Sequence, residues 1–131
     1  MVSISSEQRE VVLDLLQNIQ NAIIQLQDWN KDVKSINDLL VSPEGMKTLS
    51  ADCMLIQAIG EGIKQLDKIT DGQLFPLQPQ IPWKQVKGMR DHIAHGYFDI
   101  NTDLVWSVIS EDIAPLKDAI AYFIEIVDNL E

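Results

Sequence analysis

The sequence predicts an all-α protein, an antiparallel bundle of four long helices with one or two short ones, in a single domain over residues 1–131. Three observations carry that prediction. Apolar residues recur at three- and four-residue intervals through most of the chain. No pair of short alternating runs is bounded by turn signals, as paired strands would be. A length of 131 residues with 46% hydrophobic content suits one core rather than two domains or a disordered tail.

The first helix opens where Ser5 and Gln8 form a Ser-x-x-Gln capping pattern. Val12, Leu15, Leu16, Ile19, Ile23, Leu26 and Trp29 then keep the helical period. A weaker segment runs through Ile36, Leu39 and Leu40, and Ser42-Pro43 is a start signal for a short helix, because proline fits a first helical position. Over residues 51–69 the period returns in Leu55, Ala58, Ile59, Ile63, Leu66 and Ile69. Gly60 and Gly62 lower helix propensity there and point to close packing of a neighbouring helix. Residues 70–82 hold three of the five prolines and read as an ordered loop that buries Leu74, Phe75, Leu77 and Ile81. Trp83 opens a further helix with Val86, Met89 and Ile93 on one stripe, ended by Gly96 as a left-handed cap. In the last third, Leu104, Val105, Val108 and Ile109 precede Ile113, Leu116, Ile120, Phe123, Ile124, Val127 and Leu130. Pro115 is expected to divide this region into a short and a long helix.

Charge and cysteine usage narrow the function classes. Lys and Arg total 10 against 20 Asp and Glu, a formal net charge of −10, which argues against coating nucleic acid through many phosphate contacts. The charge is uneven. Residues 84–90 carry three basic side chains and no acidic one, while residues 99–131 hold one Lys and eight acids. That leaves a small positive site in an acidic body suited to a basic protein partner. Cys53 is the single cysteine, so no intrachain disulfide forms; a reduced, cytoplasmic setting is expected, with Cys53 as a small buried hydrophobe. The first residues lack the basic start and apolar run of a signal peptide, and no stretch is long enough to span a bilayer, so a soluble protein without membrane contact is expected.

Both histidines and one of the two arginines fall within residues 88–99. On a continuous helix Arg90 and His95 would stand about 140° and roughly 7.5 Å apart. A flexible arginine and a histidine in a last helical turn can still converge on one phosphate, especially in a cleft between two copies of the chain. Arginine supplies a planar, permanent charge that grips phosphate oxygens; histidine moves protons near neutral pH. Such a pair is the minimum for cleaving RNA without a metal, one group handling the 2′-OH proton and the other the charged phosphate. Blander readings stand beside this one. His95 could cap a helix end. His92 and His95 could share a metal with Asp91 or Asp99, but the H-E-x-x-H pattern and a third clear ligand are missing, which favours a solvated or packing role for His92. Lys84 and Lys87 could guide RNA or merely solvate a helix face. Trp29, Trp83 and Trp106 read as core or dimer contacts, and Glu61 as a hydrogen-bonded acid within an apolar helix.

The run Arg90-Asp91-His92-Ile93-Ala94-His95-Gly96-Tyr97 resembles the R-x4-H-x-Y motif of the HepT toxins, a branch of the HEPN superfamily of small all-helical ribonucleases. Ile59-Gly60-Glu61, Pro82-Trp83, Tyr97-Phe98 and Val105-Trp106 are similar to that branch as well, and the resemblance covers most of the chain. It implies a metal-independent endoribonuclease toxin acting as a homodimer, with motif helices of two subunits lining one cleft and no cofactor. Arg90 and His95 would then be the catalytic pair, with Lys84, Lys87 and Asp91 as RNA-contacting candidates. Tyr97 would be the side chain adenylylated by a partner antitoxin, a minimal nucleotidyltransferase of the MntA type. Two other classes remain open: a non-catalytic partner of such a nucleotidyltransferase, whose cleft binds nucleotide or substrate without cutting, and a structural or metal-dependent helical dimer.

Overall fold

The computed structural model describes residues 2–96 and 98–130, and its first helix begins where the capping pattern places it. Ser5 accepts a hydrogen bond from the Gln8 N–H at 3.2 Å, and α1 spans Ser6–Trp29. Five-residue α2 covers Ile36–Leu40. Ser42 then accepts from the Gly45 N–H at 2.9 Å, with Pro43 in the first turn, and α3 runs unbroken over Pro43–Ile69. The expected short helix at Pro43 and the segment over 51–69 are therefore one rod. Gly45 permits this arrangement, since a Cβ there would come within 2.5 Å of the Asp38 carbonyl oxygen in α2. Each serine cap satisfies an otherwise orphaned helical N–H and contributes about 1 kcal/mol.

Polar contacts at both ends of α1 fix the layout. Asn30, just past α1, meets Asp52 early in α3, whereas Leu15 and Ile19 lie against Gly62 late in α3. Arg9 donates to the backbone oxygens of Val127 and Asp128 at 3.1 and 2.6 Å, and Gln20 donates to that of Lys117 at 3.0 Å. These pairings run both α3 and the terminal helix antiparallel to α1. Val12, Leu16, Ile23, Leu26, Ile56, Ile59, Ile63, Leu66, Ile120, Phe123 and Val127 are fully buried between the rods. Each such aliphatic or aromatic group stabilises the fold by roughly 1.5–3 kcal/mol. Trp29, last on the α1 stripe, is exposed instead.

The chain between α3 and the last helix is less regular than its apolar period predicts. Residues 70–82 are an ordered loop with a 3-10 turn at Phe75–Leu77; Leu74, Phe75 and Ile81 are buried, while Leu77 is exposed. The helix expected from Trp83 onward divides into α4, Trp83–Lys87, and α5, Met89–Ile93, so the fourth rod is two short pieces meeting at Gly88. Beyond it α6, Thr102–Ser107, continues through a π-helical segment, Val108–Asp112, into α7, Ile113–Asp128. A short and a long helix thus stand as expected, with Pro115 in the first turn of α7, but the π-helical segment joins them without a break. A proline has no N–H for the carbonyl four residues back and crowds it, and the wider π turn just before it, with the Ile113 N–H bonded to the Val108 oxygen, relieves that crowding. Apart from one isolated bridge between Ala94 and Ile100, the described residues form no β-structure. Among them no helix is long and apolar enough to cross a membrane.

One buried polar pair ties α1 to α3. Asn30 Nδ2 donates to Asp52 Oδ1 at 2.7 Å and to the Leu26 oxygen at 2.8 Å. Asp52 is fully buried, and burial pushes its carboxyl from 3.8 up to about 6 against the opposing pull of the Asn30 bond. Asp52 Oδ2 and Asn30 Oδ1 both lack partners, so protonating the carboxyl would supply a donor to a pair that has none to spare. The folded chain holds its extra proton between about 4 and about 6, so this group's contribution to stability is greatest below that window and is lost as pH rises through about 6. Asp52→Asn keeps the shape, adds the donor and removes the charge. Urea unfolding at pH about 7.5 should show it more stable by about 1–2 kcal/mol, with the decline between pH about 4 and about 6.5 flattened. A variant less stable than the parent at pH about 7.5 would contradict this account.

Candidate active site

The motif region is built on an anchor, a glycine and a loop. The Trp83 ring stacks on Phe75 with centroids 4.3 Å apart and planes 8° from parallel, and its Nε1 donates to the Gln78 oxygen at 2.9 Å. That contact fixes the start of α4. Gly60 then lets α4 and α5 lie directly on α3, because a Cβ there would stand 3.2 Å from the Val86 oxygen and 3.5 Å from the Arg90 nitrogen. Met89 and Ile93 face the core from α5. Arg90, Asp91 and His92, on its other side, are exposed.

Close docking brings two acids of α3 to the basic cluster. Arg90 Nη1 lies 3.2 Å from Glu61 Oε2, with 61% of the arginine side chain still exposed. Lys87 Nζ lies 2.9 Å from Asp67 Oδ2 and is half-buried. Lys84 is exposed. Two of the three basic side chains that the sequence places together are thus held by acids thirty or fewer residues earlier on α3. Arg90 retains most of its surface for a ligand; Lys87 is largely committed to Asp67.

His95 is not in a last helical turn. Helix α5 ends at Ile93, and Ala94 is extended, with φ −164° and ψ 147°. The Asn101 N–H takes the Ile93 carbonyl at 2.8 Å, the His95 N–H bonds the Asp99 oxygen at 2.9 Å, and the Asp99 N–H returns to the Gly96 oxygen at 3.2 Å. Gly96 has φ +122°, a backbone conformation costly for any side-chain-bearing residue, but it turns this loop rather than capping the helix. The helical offset expected between Arg90 and His95 therefore does not apply, and neither does the helix-cap reading of His95. Its imidazole is exposed on a hydrogen-bonded loop whose far side, through Asn101, caps α6 at the Leu104 N–H.

Beside this loop, Met54 and Gln57 of α3 and Ala94, Gly96 and Ile100 line a groove of about 250 Å³. Met54 and Phe98 are both strongly exposed there and on the adjoining loop. Tyr97, the expected modification site, lies outside the described residues. Among the described residues no three His, Cys, Asp or Glu side chains gather as a metal ion requires. Cys53 is buried, and burial, reinforced by the Asp52 charge, pushes its thiol up to about 11. Sequence reasoning singled out Glu61 without its partner and passed over Asp67; the signal available was an acid on an otherwise apolar-periodic helix.

The motif thus sits on a small all-helical bundle, with Arg90 on α5 over Gly60 and His95 on the loop that follows. The family model described as Ribonuclease HepT-like matches residues 19–123, and the chain belongs to that family. A probable ribonuclease HepT of Thermococcus cleftensis is 30% identical over 104 residues, covering 79% of this chain and 87% of the relative. A putative RNase of Methanocaldococcus jannaschii is 28% identical over 123 residues, covering 94% and 89% respectively. No solved structure matches the chain.

The two neighbouring positions on α3 should respond differently to substitution. Gly60→Val places branched carbon against the backbone of α4 and α5, and should destabilise by roughly 1–3 kcal/mol, as overpacking does. Glu61→Gln removes an exposed ion pair and should change stability by less than about 1 kcal/mol. Thermal unfolding of the two variants checks the contrast; equal losses would mean that the backbone approach at Gly60 is not what holds the motif in place.

Proposed function

We propose that this chain is a metal-independent endoribonuclease toxin that cuts RNA through Arg90 and His95, and that a minimal nucleotidyltransferase antitoxin silences it by adenylylating Tyr97. The observation that supports the reading is the exposure of both motif side chains: a guanidinium paired with Glu61 yet mostly exposed, and an exposed imidazole five residues on, carried by a backbone-bonded loop. Membership of a family described as Ribonuclease HepT-like supports the same chemistry. His95 takes the 2′-OH proton as that oxygen attacks phosphorus; the P–O5′ bond breaks, and the proton passes to the departing 5′-oxygen. Arg90 binds the non-bridging oxygens as charge builds on them. The products are a 2′,3′-cyclic phosphate and a 5′-hydroxyl.

The working unit in this reading is a homodimer, with the motif segments of two copies facing one cleft. Its support is the apolar surface left uncovered beside the motif, at Met54 and in the groove between α3 and the 94–100 loop. Lys84 adds positive charge at the approach to the Arg90–His95 pair, and Asp91 stands next to Arg90, within reach of a bound strand. A nucleotide attached to Tyr97, two residues past His95, would fill the approach and add negative phosphate where RNA phosphate must sit.

Incubation of purified chain with single-stranded RNA in excess chelator tests the catalytic claim. Cleavage should persist and should leave 2′,3′-cyclic ends, and Arg90→Ala or His95→Ala should each lower the rate by at least about 100-fold. Cleavage that is unchanged by His95→Ala would sink the assignment. Tyr97→Phe should cleave RNA yet escape silencing when the nucleotidyltransferase and ATP are added.

A further inference from the structure

A second cleft, not lined by Arg90 or His95, lies beside the motif helix. Its volume is about 390 Å³, and it opens between α4–α5 on one side and the π-helical segment with the start of α7 on the other. Val86, Met89, Leu104, Val108 and Leu116 form apolar walls. Val86, Met89 and Val108 are buried in the core, so the walls are set by the fold rather than by mobile surface side chains. Glu111 and Asp112, both exposed, also line it. No lysine, arginine or histidine lines it, and among the described residues neither carboxylate has an ion-pair partner.

Those features are unbalanced in one direction. Burial, followed by the neighbouring Glu111 charge, raises the Asp112 carboxyl above its ordinary value, as expected where two acids crowd an apolar wall with no cation at hand. Both acids lie at the end of the π-helical segment Val108–Asp112. A cation seated between the carboxylates would relieve their repulsion, and an apolar body attached to it would fill the rest of the cleft. The volume lies within the ~300–1,000 Å³ of small-molecule sites and exceeds what one lysine or arginine side chain from a partner would occupy.

We infer that this cleft is a binding site for a small organic amine, a cationic head between Glu111 and Asp112 joined to an aryl or branched alkyl body against Val86, Met89 and Val108. Its charge preference follows from the two carboxylates, and its preference for a bulky body over a linear polyamine follows from the walls. Met89 precedes Arg90 and packs 3.6 Å from where a Gly60 Cβ would stand, so an occupant touches the same short helix that carries the arginine. Occupancy is a binding event, independent of whether Arg90 and His95 cut RNA.

Three probes that share an indole body test the inference on the full chain: tryptamine, neutral tryptophol and anionic indole-3-propionate. Nuclear magnetic resonance titration should show saturable shifts for tryptamine centred on Val86, Met89 and Val108, with tryptophol binding about tenfold more weakly and the anion not at all. The double variant Glu111→Gln and Asp112→Asn changes two exposed side chains and should fold as the parent does. It should weaken tryptamine about tenfold while leaving tryptophol unchanged. Raised salt should weaken tryptamine selectively. Absence of saturable tryptamine binding, equal binding of all three probes, or shifts centred elsewhere would overturn the proposal. Because the readout is binding, its failure leaves the RNA chemistry of Arg90 and His95 untouched, and the reverse also holds.

Discussion

The approach of two backbones at Gly60 is the contact on which the rest of the site depends. Helices α4 and α5 have five residues each, too few to be stable on their own, since a helical nucleus fixes more dihedrals than it makes bonds. Their geometry is imposed from outside. Trp83 on Phe75 fixes one end, and the bare Cα of Gly60 lets Val86 and Arg90 sit on α3 at van der Waals distance. Only at that separation does Glu61, one residue along, reach the guanidinium at 3.2 Å, and Asp67 reach Lys87 at 2.9 Å. A glycine inside a long helix costs about 1 kcal/mol in propensity. Here the cost is met by docking two short helices that could not otherwise hold a fixed pose.

Electrostatics then act on a frame already set by packing. The chain's net charge of −10 disfavours nucleic acid, and the basic run at residues 84–90 looks like a local exception. In three dimensions the exception is smaller than its sequence, because Asp67 and Glu61 each take one cation. What remains is a mostly exposed arginine whose charge is directed but not cancelled, with Lys84 free to assist. One exposed arginine in an acidic body favours local contact with an anion over the many phosphate contacts that coating a long polyanion needs.

Much of the fold was legible because periodicity and capping are local. Ser5 and Ser42 each cap a helix start where expected, though the helix after Ser42 is long rather than short, and the buried stripes from Val12 to Leu26 and from Ile59 to Leu66 follow the spacing in the sequence. Illegible features were those decided by neighbours. The apolar period runs from Val86 through Ile93 without a break, yet the helix bends at Gly88 and ends at Ile93, where Asn101 from beyond the motif captures the Ile93 carbonyl. Pro115 reads as a helix boundary locally, but a π turn absorbs it. The motif identified Arg90 and His95 by spacing alone, but their setting, one on a helix over Gly60 and one on a bonded loop, belongs to tertiary structure. Asp52 gave no local sign of burial, because its only partner, Asn30, lies on the other side of a helix turnaround.

Helix α5 is where these threads meet. Its inner side, Met89 and Ile93, is buried, and Met89 faces both the Gly60 approach and the cleft under the π-helical segment. Its outer side presents Arg90. Among the described residues α5 is held by the Gly60 approach, by the core under Met89 and Ile93, by Asn101 on the Ile93 carbonyl and by Glu61 on Arg90. The guanidinium is tethered by Glu61 through an exposed ion pair worth little on its own. The arginine's position therefore rests mainly on the packing of Met89 and Ile93 beneath it, with the exposed salt bridge as a weaker addition.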